Sequence, residues 1–348
     1  MSSILSYCDW LSLALVVAPV QGARMEPTKS PIVIAHRGAS GSRPEHTLAA
    51  YELAIDQGAD FIEPDLVPTK DDVLVARHEN AISETTDVAA HPEFAARRTT
   101  KTIDGRAQTD WFVEDFTLAE LKTLRAKERL PKLRPANAAY DGRFEIPTLA
   151  EIIALAKRRS VGIYPETKHP TYFAGIGHPT DLPLVAQLQA AGWDSADAPV
   201  FIQSFEVANL KRLHGNTKIR LIQLTAGQGG PADGAAPSYA AMLTPAGMKQ
   251  IAAYAYGIGP DKAQLWTGDT ASRLVADAHA AGLRVHPWTY RAENMFVPER
   301  FRRGTDPVAH GDVTAEIAAA LGQGIDGFFT DFPLQGVEAR NALRTGAK

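Results

Sequence analysis

Short apolar runs alternate with stretches of helical periodicity along most of the chain. Runs at 32–35, 60–66, 161–165, 199–203, 219–224, 256–258, 283–288 and 327–330 read as strands. Helical segments fall between them: Thr47–Gln57, Thr148–Lys157, Asp181–Ala191, Glu206–Leu213, Thr244–Tyr254, Ala271–Ala281 and Val313–Leu321. Thr148 with Glu151 three residues on makes a capping box, and Gly282 closes the helix before it. Eight strand-then-helix units with mostly apolar strands predict an α/β fold with a parallel sheet inside and helices outside. That is a closed (β/α)₈ TIM barrel rather than an open doubly wound sheet. No Gly-x-Gly-x-x-Gly follows the first strand, which removes the main dinucleotide-binding cue.

Residues 80–147 break the alternation. They are polar, with a short helix near Thr117–Leu124, and read as a small subdomain inserted on the rim after the second strand region. A third short strand of the opening unit is expected to end at His78 just before it. A smaller insertion rich in Gly, Pro and Ala spans 226–240, and the barrel as a whole is expected over 31–340.

Composition narrows the class. The 348 residues are 45% hydrophobic and 22% charged, as in a soluble globular protein with ample core. A net charge of −4 carries no polyanion-binding signature, so no nucleic-acid partner is expected. The densest basic spots, Arg97–Lys101 and Arg300–Arg303, read as solvated faces. Trp10–Val20 is apolar, too short to span a bilayer, and followed by Gln21, Gly22 and Ala23. Residues 1–23 thus read as a signal peptide, although no Lys or Arg precedes the run, and the protein as periplasmic or secreted without stable membrane insertion. Without that cleavage it would be cytoplasmic. Cys8, the only cysteine, precedes the run, so the mature chain would carry no thiol chemistry.

The chemistry gathers where strands end. Side chains two apart on a strand share a face, which makes neighbours of Glu63 and Asp65 and of Glu166 and Lys168. Three carboxylates at the ends of two adjacent strands suit a hard divalent cation, Ca²⁺ or Mg²⁺; pairing with nearby Arg and Lys is the equal alternative. His36 and His78, also near strand ends, are the acid–base candidates. Arg37 and Lys168 add positive charge at the same mouth. A guanidinium, an ammonium and a divalent ion converging on one point describe a phosphate site, and the set reads as phosphoryl transfer.

These residues stand in a recognisable order. His36-Arg37-Gly38, Pro44-Glu45-His46-Thr47, Glu63-x-Asp65, His78, Pro165-Glu166-Thr167-Lys168, Gln203-Ser204-Phe205, His286-Pro287-Trp288-Thr289 and Phe329-Thr330-Asp331 together resemble the signature of the glycerophosphodiester phosphodiesterase family. The likeness runs in order from residue 31 to 333. Asp115-Phe116-Thr117-Leu118 and Phe144-Glu145-Ile146-Pro147-Thr148 resemble its bacterial exported, Ca²⁺-using branch. His46 stands where many relatives have Asn, and Glu79-Asn80 where Asp-Pro is frequent.

The resemblance implies a TIM barrel that hydrolyses glycerophosphodiesters, such as glycerophosphocholine or glycerophosphoethanolamine, to sn-glycerol 3-phosphate and an alcohol. It implies His36 and His78 as the general acid/base pair, Glu63, Asp65 and Glu166 as ligands of one divalent cation (Ca²⁺ ahead of Mg²⁺), and Arg37 and Lys168 as phosphate contacts. Phe205 and Trp288 would wall the glycerol pocket, and Glu45 would orient the site or join the metal shell. Gln203 and Asp331 would line or support it. One histidine would take a proton from the attacking oxygen, either the glycerol 2-hydroxyl or a water, and the other would protonate the leaving alcohol. The insertion could cap the site, select the alcohol or mediate a homodimer. The rival readings are a phospholipase on the same scaffold, which needs an apolar rim, and a binding protein, which would lack one of the groups.

Overall fold

The computed structural model describes residues 30–346. The expected signal peptide and Cys8 lie outside the described residues. The eight barrel strands are Ile32–His36, Phe61–Glu63 continued by Asp65–Pro68, Gly162–Ile163 continued by Glu166–Thr167, Phe201–Ser204, Arg220–Thr225, Gly257–Pro260, Arg284–Val285 and Gly327–Thr330. The second and third are interrupted at Pro64 and Pro165, which have no N–H to give a neighbour. Their carbonyls still accept, from Glu166 at 2.9 Å and Gln203 at 2.9 Å, so the ladder crosses each break. Parallel pairing joins the eighth strand to the first and runs on to the third, and again from the third to the seventh. The ring closes through Asp326 N–H to Val285 O at 3.0 Å, Phe329 N–H to Pro287 O at 3.0 Å and Tyr290 N–H to Phe329 O at 2.9 Å.

Alternation along these strands sorts side chains into two cores. Outward-facing Val33, Ala35, Ile62, Ile163, Ile202, Ile258 and Phe328 pack under the helices. Inward-facing Ile34, Tyr164, Phe201, Ile222 and Phe329 fill the barrel, with Phe61 against them. The rings interlock: Tyr164 lies 4.9 Å from Phe201 and 5.0 Å from Phe329, and Phe61 5.2 Å from Phe201. Gly162 makes room for this, since a Cβ there would stand 2.2 Å from the Phe61 ring. Two residues further along each strand the same inward direction is taken by His36, Glu63, Glu166, Gln203, Trp288 and Asp331. An aromatic plug therefore underlies the polar cluster, at the strand ends where barrels place chemistry.

The helices form as their caps dictate. Thr148 and Glu151 make both capping-box bonds at the start of Leu149–Arg159, and Thr117 and Glu120 do the same for Leu118–Leu121. Among the described residues no helix is long and apolar enough to cross a membrane.

Two expectations need correction. The third strand of the opening unit is Leu74–Ala76, which pairs antiparallel with Asp65–Pro68, so it folds back instead of joining the barrel ring and leaves His78 in the loop beyond. Residues 80–147 hold more structure than one short helix. A hairpin pairs Thr99–Ile103 with Arg106–Asp110 across Asp104-Gly105, both at positive φ. Val88, Phe94, Val113, Phe116 and Leu121 form a small core rooted on Val67 and Val75 of the barrel's own hairpin.

His286, beneath the site, shares a hydrogen bond between its Nδ1 and the Tyr164 hydroxyl at 2.8 Å. Burial lowers its pKa to about 4. A lowered histidine stays neutral in the fold while the unfolded chain takes up a proton, so its contribution is complete above about pH 6.5 and is lost as pH falls toward 4. Denaturant titrations should show stability falling on acidification over this window, with His286 contributing on the order of 3 kcal/mol. The His286→Gln variant should show a shallower dependence; an unchanged slope would rule out this source.

Candidate active site

Register sets the site. His36 is the cross-strand partner of Glu63, Asp65 of Glu166, and Glu166 of Gln203, which lays five functional side chains across four neighbouring strands. Past His36 the chain turns sharply, with Arg37 and Gly38 both at positive φ. Only glycine fits at position 38, because a Cβ would stand 2.6 Å from the Ala50 carbonyl carbon. The turn aims the Arg37 N–H at Glu63 Oε2, 2.8 Å away, and its Nε toward Asp65 Oδ2 at 3.3 Å.

A cavity of about 440 Å³ opens over this layer. His36, Arg37, Glu63, His78, Glu166, Lys168, Gln203, Phe205, Trp288 and Arg291 line it. Nine of the eleven sequence-predicted residues are in that lining. Asp65 lies just beneath, and Glu45 is turned away into ion pairs with Arg37 and Arg129. Phe205 and Trp288 meet edge to face at 5.7 Å on one wall, and Trp288 Nε1 donates to Gly259 O at 2.9 Å.

Glu63, Asp65 and Glu166 offer carboxylate oxygens within 4.8 Å of one another, all buried. Burial, Asp65 and Glu166 push Glu63 well above the usual carboxylate range. Burial raises Glu166 to about 8, against the pull of Lys168 2.8 Å away. Burial would raise Asp65 too, but Lys168, His46 and His78 hold it well below its usual value. His46 donates to Asp65 Oδ2 from Nε2 at 2.9 Å, and its Nδ1 accepts from Tyr51 at 2.8 Å. Two cations, Lys168 and an Arg37 that Glu45 shares, do not balance three carboxylates. The Gln203 amide, bonded to Glu63 at 3.2 Å, leaves a buried oxygen without a hydrogen-bond partner. Three carboxylates and an amide oxygen, with no sulfur ligand, suit a hard divalent cation. The residues fit such an ion.

Each histidine is backed by a carboxylate. His36 Nδ1 donates to Asp331 Oδ1 at 2.7 Å, and His78 Nδ1 to Glu79. A carboxylate only accepts, so each ring carries its proton on Nδ1 and Nε2 is the basic nitrogen. Burial and then Arg37 lower His36 to about 4. Burial, Arg37 and Lys168 lower His78 to about 3. Both rings are neutral at pH 7.

Sequence reasoning treats Asp331 as a support and Glu79 only as a departure. The structure shows both beneath the imidazoles. It adds Arg291, whose Nε reaches Asp331 Oδ2 at 3.0 Å, and Arg129, Arg134 and Glu293. The arginines carry no sequence signal, because they stand in polar segments where charge is ordinary.

Residues 36–335 match the glycerophosphoryl diester phosphodiesterase family. The chain is 36% identical to glycerophosphodiester phosphodiesterase GDPD6 of Arabidopsis thaliana, over 95% of this chain and 92% of that one. It is 31% identical to the glycerophosphodiester phosphodiesterase of Haemophilus influenzae, over 90% of each. Among solved structures it is similar to an Oleispira antarctica phosphodiesterase in complex with the product sn-glycerol-3-phosphate, with TM-score 0.57 and 22% identity, over 90% of this chain and 97% of that one. That likeness speaks to the fold.

The carboxylate cluster yields a measurable expectation. A cation that binds only the native state stabilises it, by about 2.7 kcal/mol at a hundredfold its Kd. Added Ca²⁺ or Mg²⁺ should raise the thermal midpoint by several degrees, and Glu166→Gln should abolish most of that rise. An equal rise in both proteins would place the ion elsewhere.

Proposed function

The chain belongs to the glycerophosphoryl diester phosphodiesterase family, with the phosphodiesterase activity of its relatives, and from that premise we propose a metal-dependent, two-histidine hydrolysis of glycerophosphodiesters to sn-glycerol 3-phosphate and an alcohol. The observation that carries this is the pair of carboxylate-backed imidazoles lining one cavity with the acidic cluster. The product named with the Oleispira antarctica structure supports glycerol 3-phosphate as the retained half.

Glu63, Asp65 and Glu166 would hold a divalent cation, Ca²⁺ in preference to Mg²⁺ for a secreted or periplasmic enzyme. When bound it supplies a Lewis acid that stabilises phosphate charge and makes an adjacent hydroxyl more acidic. Arg37 and Lys168 place their donors on the phosphate oxygens, where charge grows in the transition state. Phe205 and Trp288 confine the glycerol moiety and exclude water from its carbon face. A neutral imidazole with Nε2 toward the cavity removes the proton from the attacking oxygen. Burial and then the Arg37 cation depress both histidines, and the phosphodiester anion offsets that positive field, so its arrival favours protonation of the second ring. That ring delivers its proton to the leaving alcohol oxygen.

Release of glycerol 3-phosphate from glycerophosphocholine should stop in EDTA and return with Ca²⁺. His36→Ala and His78→Ala should each lower kcat by about 10²–10⁴-fold. Full activity under effective chelation would refute the metal assignment, and wild-type turnover in either variant would refute the proton-transfer assignment. A diester lacking the 2-hydroxyl tests whether that group is the nucleophile.

A further inference from the structure

The inserted segment sends two arginines, five residues apart, into the barrel mouth. Arg129 binds Glu45 with Nε at 3.0 Å and Nη2 at 2.7 Å, and the same Nη2 reaches Glu79 Oε2 at 2.7 Å. Glu79 is the carboxylate behind His78. Arg134 binds Glu293 through Nε at 2.6 Å and Asp331 Oδ2 through Nη2 at 2.6 Å. Asp331 is the carboxylate behind His36. Each histidine therefore heads the same chain, imidazole to carboxylate to guanidinium, and both guanidinium groups come from one segment. That segment is itself fixed. Leu130 N–H donates to Glu128 Oε1 at 2.8 Å, Arg134 N–H to Leu130 O at 2.8 Å, and Arg134 Nη1 and Asn137 Nδ2 each reach Ser40 O at 3.0 Å.

We propose that Arg129 and Arg134 are positioning residues, through which the inserted segment fixes both histidines for proton transfer. The inference rests on the reading of His36 and His78 as the acid–base pair. Fastening the segment to the barrel does not rest on these arginines alone, because Asn137 Nδ2 also holds Ser40 O, at 3.0 Å. Their placement on the two backing carboxylates serves orientation. Each guanidinium is itself clamped by a two-point pair, Arg129 on Glu45 and Arg134 on Glu293, and its Nη2 then takes the outer oxygen of the backing carboxylate, Glu79 Oε2 or Asp331 Oδ2, which leaves the other oxygen to face Nδ1 and so sets the direction of Nε2. Arg129 does this for two acids together, and the second, Glu45, also receives the Arg37 guanidinium at 3.3 Å, so the phosphate contact and His78 share one anchor.

The test is a double-mutant cycle on the full chain with glycerophosphocholine: Arg129→Ala, Glu79→Gln and both together, with Arg134→Ala, Asp331→Asn and both as the second arm. Each single change should lower kcat about 10–100-fold, the range seen for outer partners of functional histidines, with KM within about threefold. The doubles should be no worse than the poorer single, because each pair acts through one ring. A structural role instead lowers the unfolding midpoint and leaves kcat of the folded protein unchanged, and that result, or multiplicative losses in the cycle, overturns the inference. Arg134 is deeply buried, so Arg129, part-exposed, decides the matter if the Arg134 variant fails to fold. His36→Ala and His78→Ala separate the two levels. Wild-type turnover there overturns the acid–base reading and this inference with it, whereas loss there with multiplicative arginine effects overturns the arginines' role alone.

Discussion

Three carboxylates within 4.8 Å of one another, buried above a floor of aromatic rings, repel through a medium that screens them poorly. Much of the local architecture answers that repulsion. Lys168 and His46 approach from the side, Arg37 from the turn above, and Gln203 from the neighbouring strand. The sharp turn at Arg37 and Gly38 lets a backbone N–H and a guanidinium from one residue meet two of the three acids. Residual negative charge is what a divalent cation would neutralise, so an electrostatic burden on the fold is also the capacity for binding.

The histidines show the same economy from the opposite sign. Buried among cations, both are held neutral, which suits them to accept a proton. Each would then be free to rotate or change tautomer were its Nδ1 not tied to Asp331 or Glu79. Those carboxylates are in turn held by arginines, two of them from outside the barrel repeat. Charge alternates outward from the reacting atoms in layers, cation against anion, until it meets solvent or backbone.

What the sequence makes legible follows from where the information lies. Eight apolar runs bounded by polar turns are local patterns, and they give the barrel with all eight strands. The strand-end residues His36, Glu63, Asp65 and Glu166 are legible because alternation fixes which face they share. Arg129 and Arg134 are not, since they reach the site across a long loop whose path depends on tertiary packing. The hairpin at 99–110 is missed for a different reason: its strands are exposed and carry little apolar alternation. Its Asp104-Gly105 turn is the one local cue present. The strand Leu74–Ala76 is expected in kind but not in direction, because nothing in a three-residue apolar run says whether it joins the ring or doubles back.

The aromatic plug beneath the site has a kinetic meaning. Ile34, Tyr164, Phe201, Ile222 and Phe329 stop the barrel below the reacting groups, so the cavity is closed toward the barrel interior and open only on the side of the strand ends and their loops. Everything that enters must leave against the incoming traffic. A product fragment seated on that floor would compete directly with substrate, a brake on flux that would follow from the stacking of rings and not from any regulatory element.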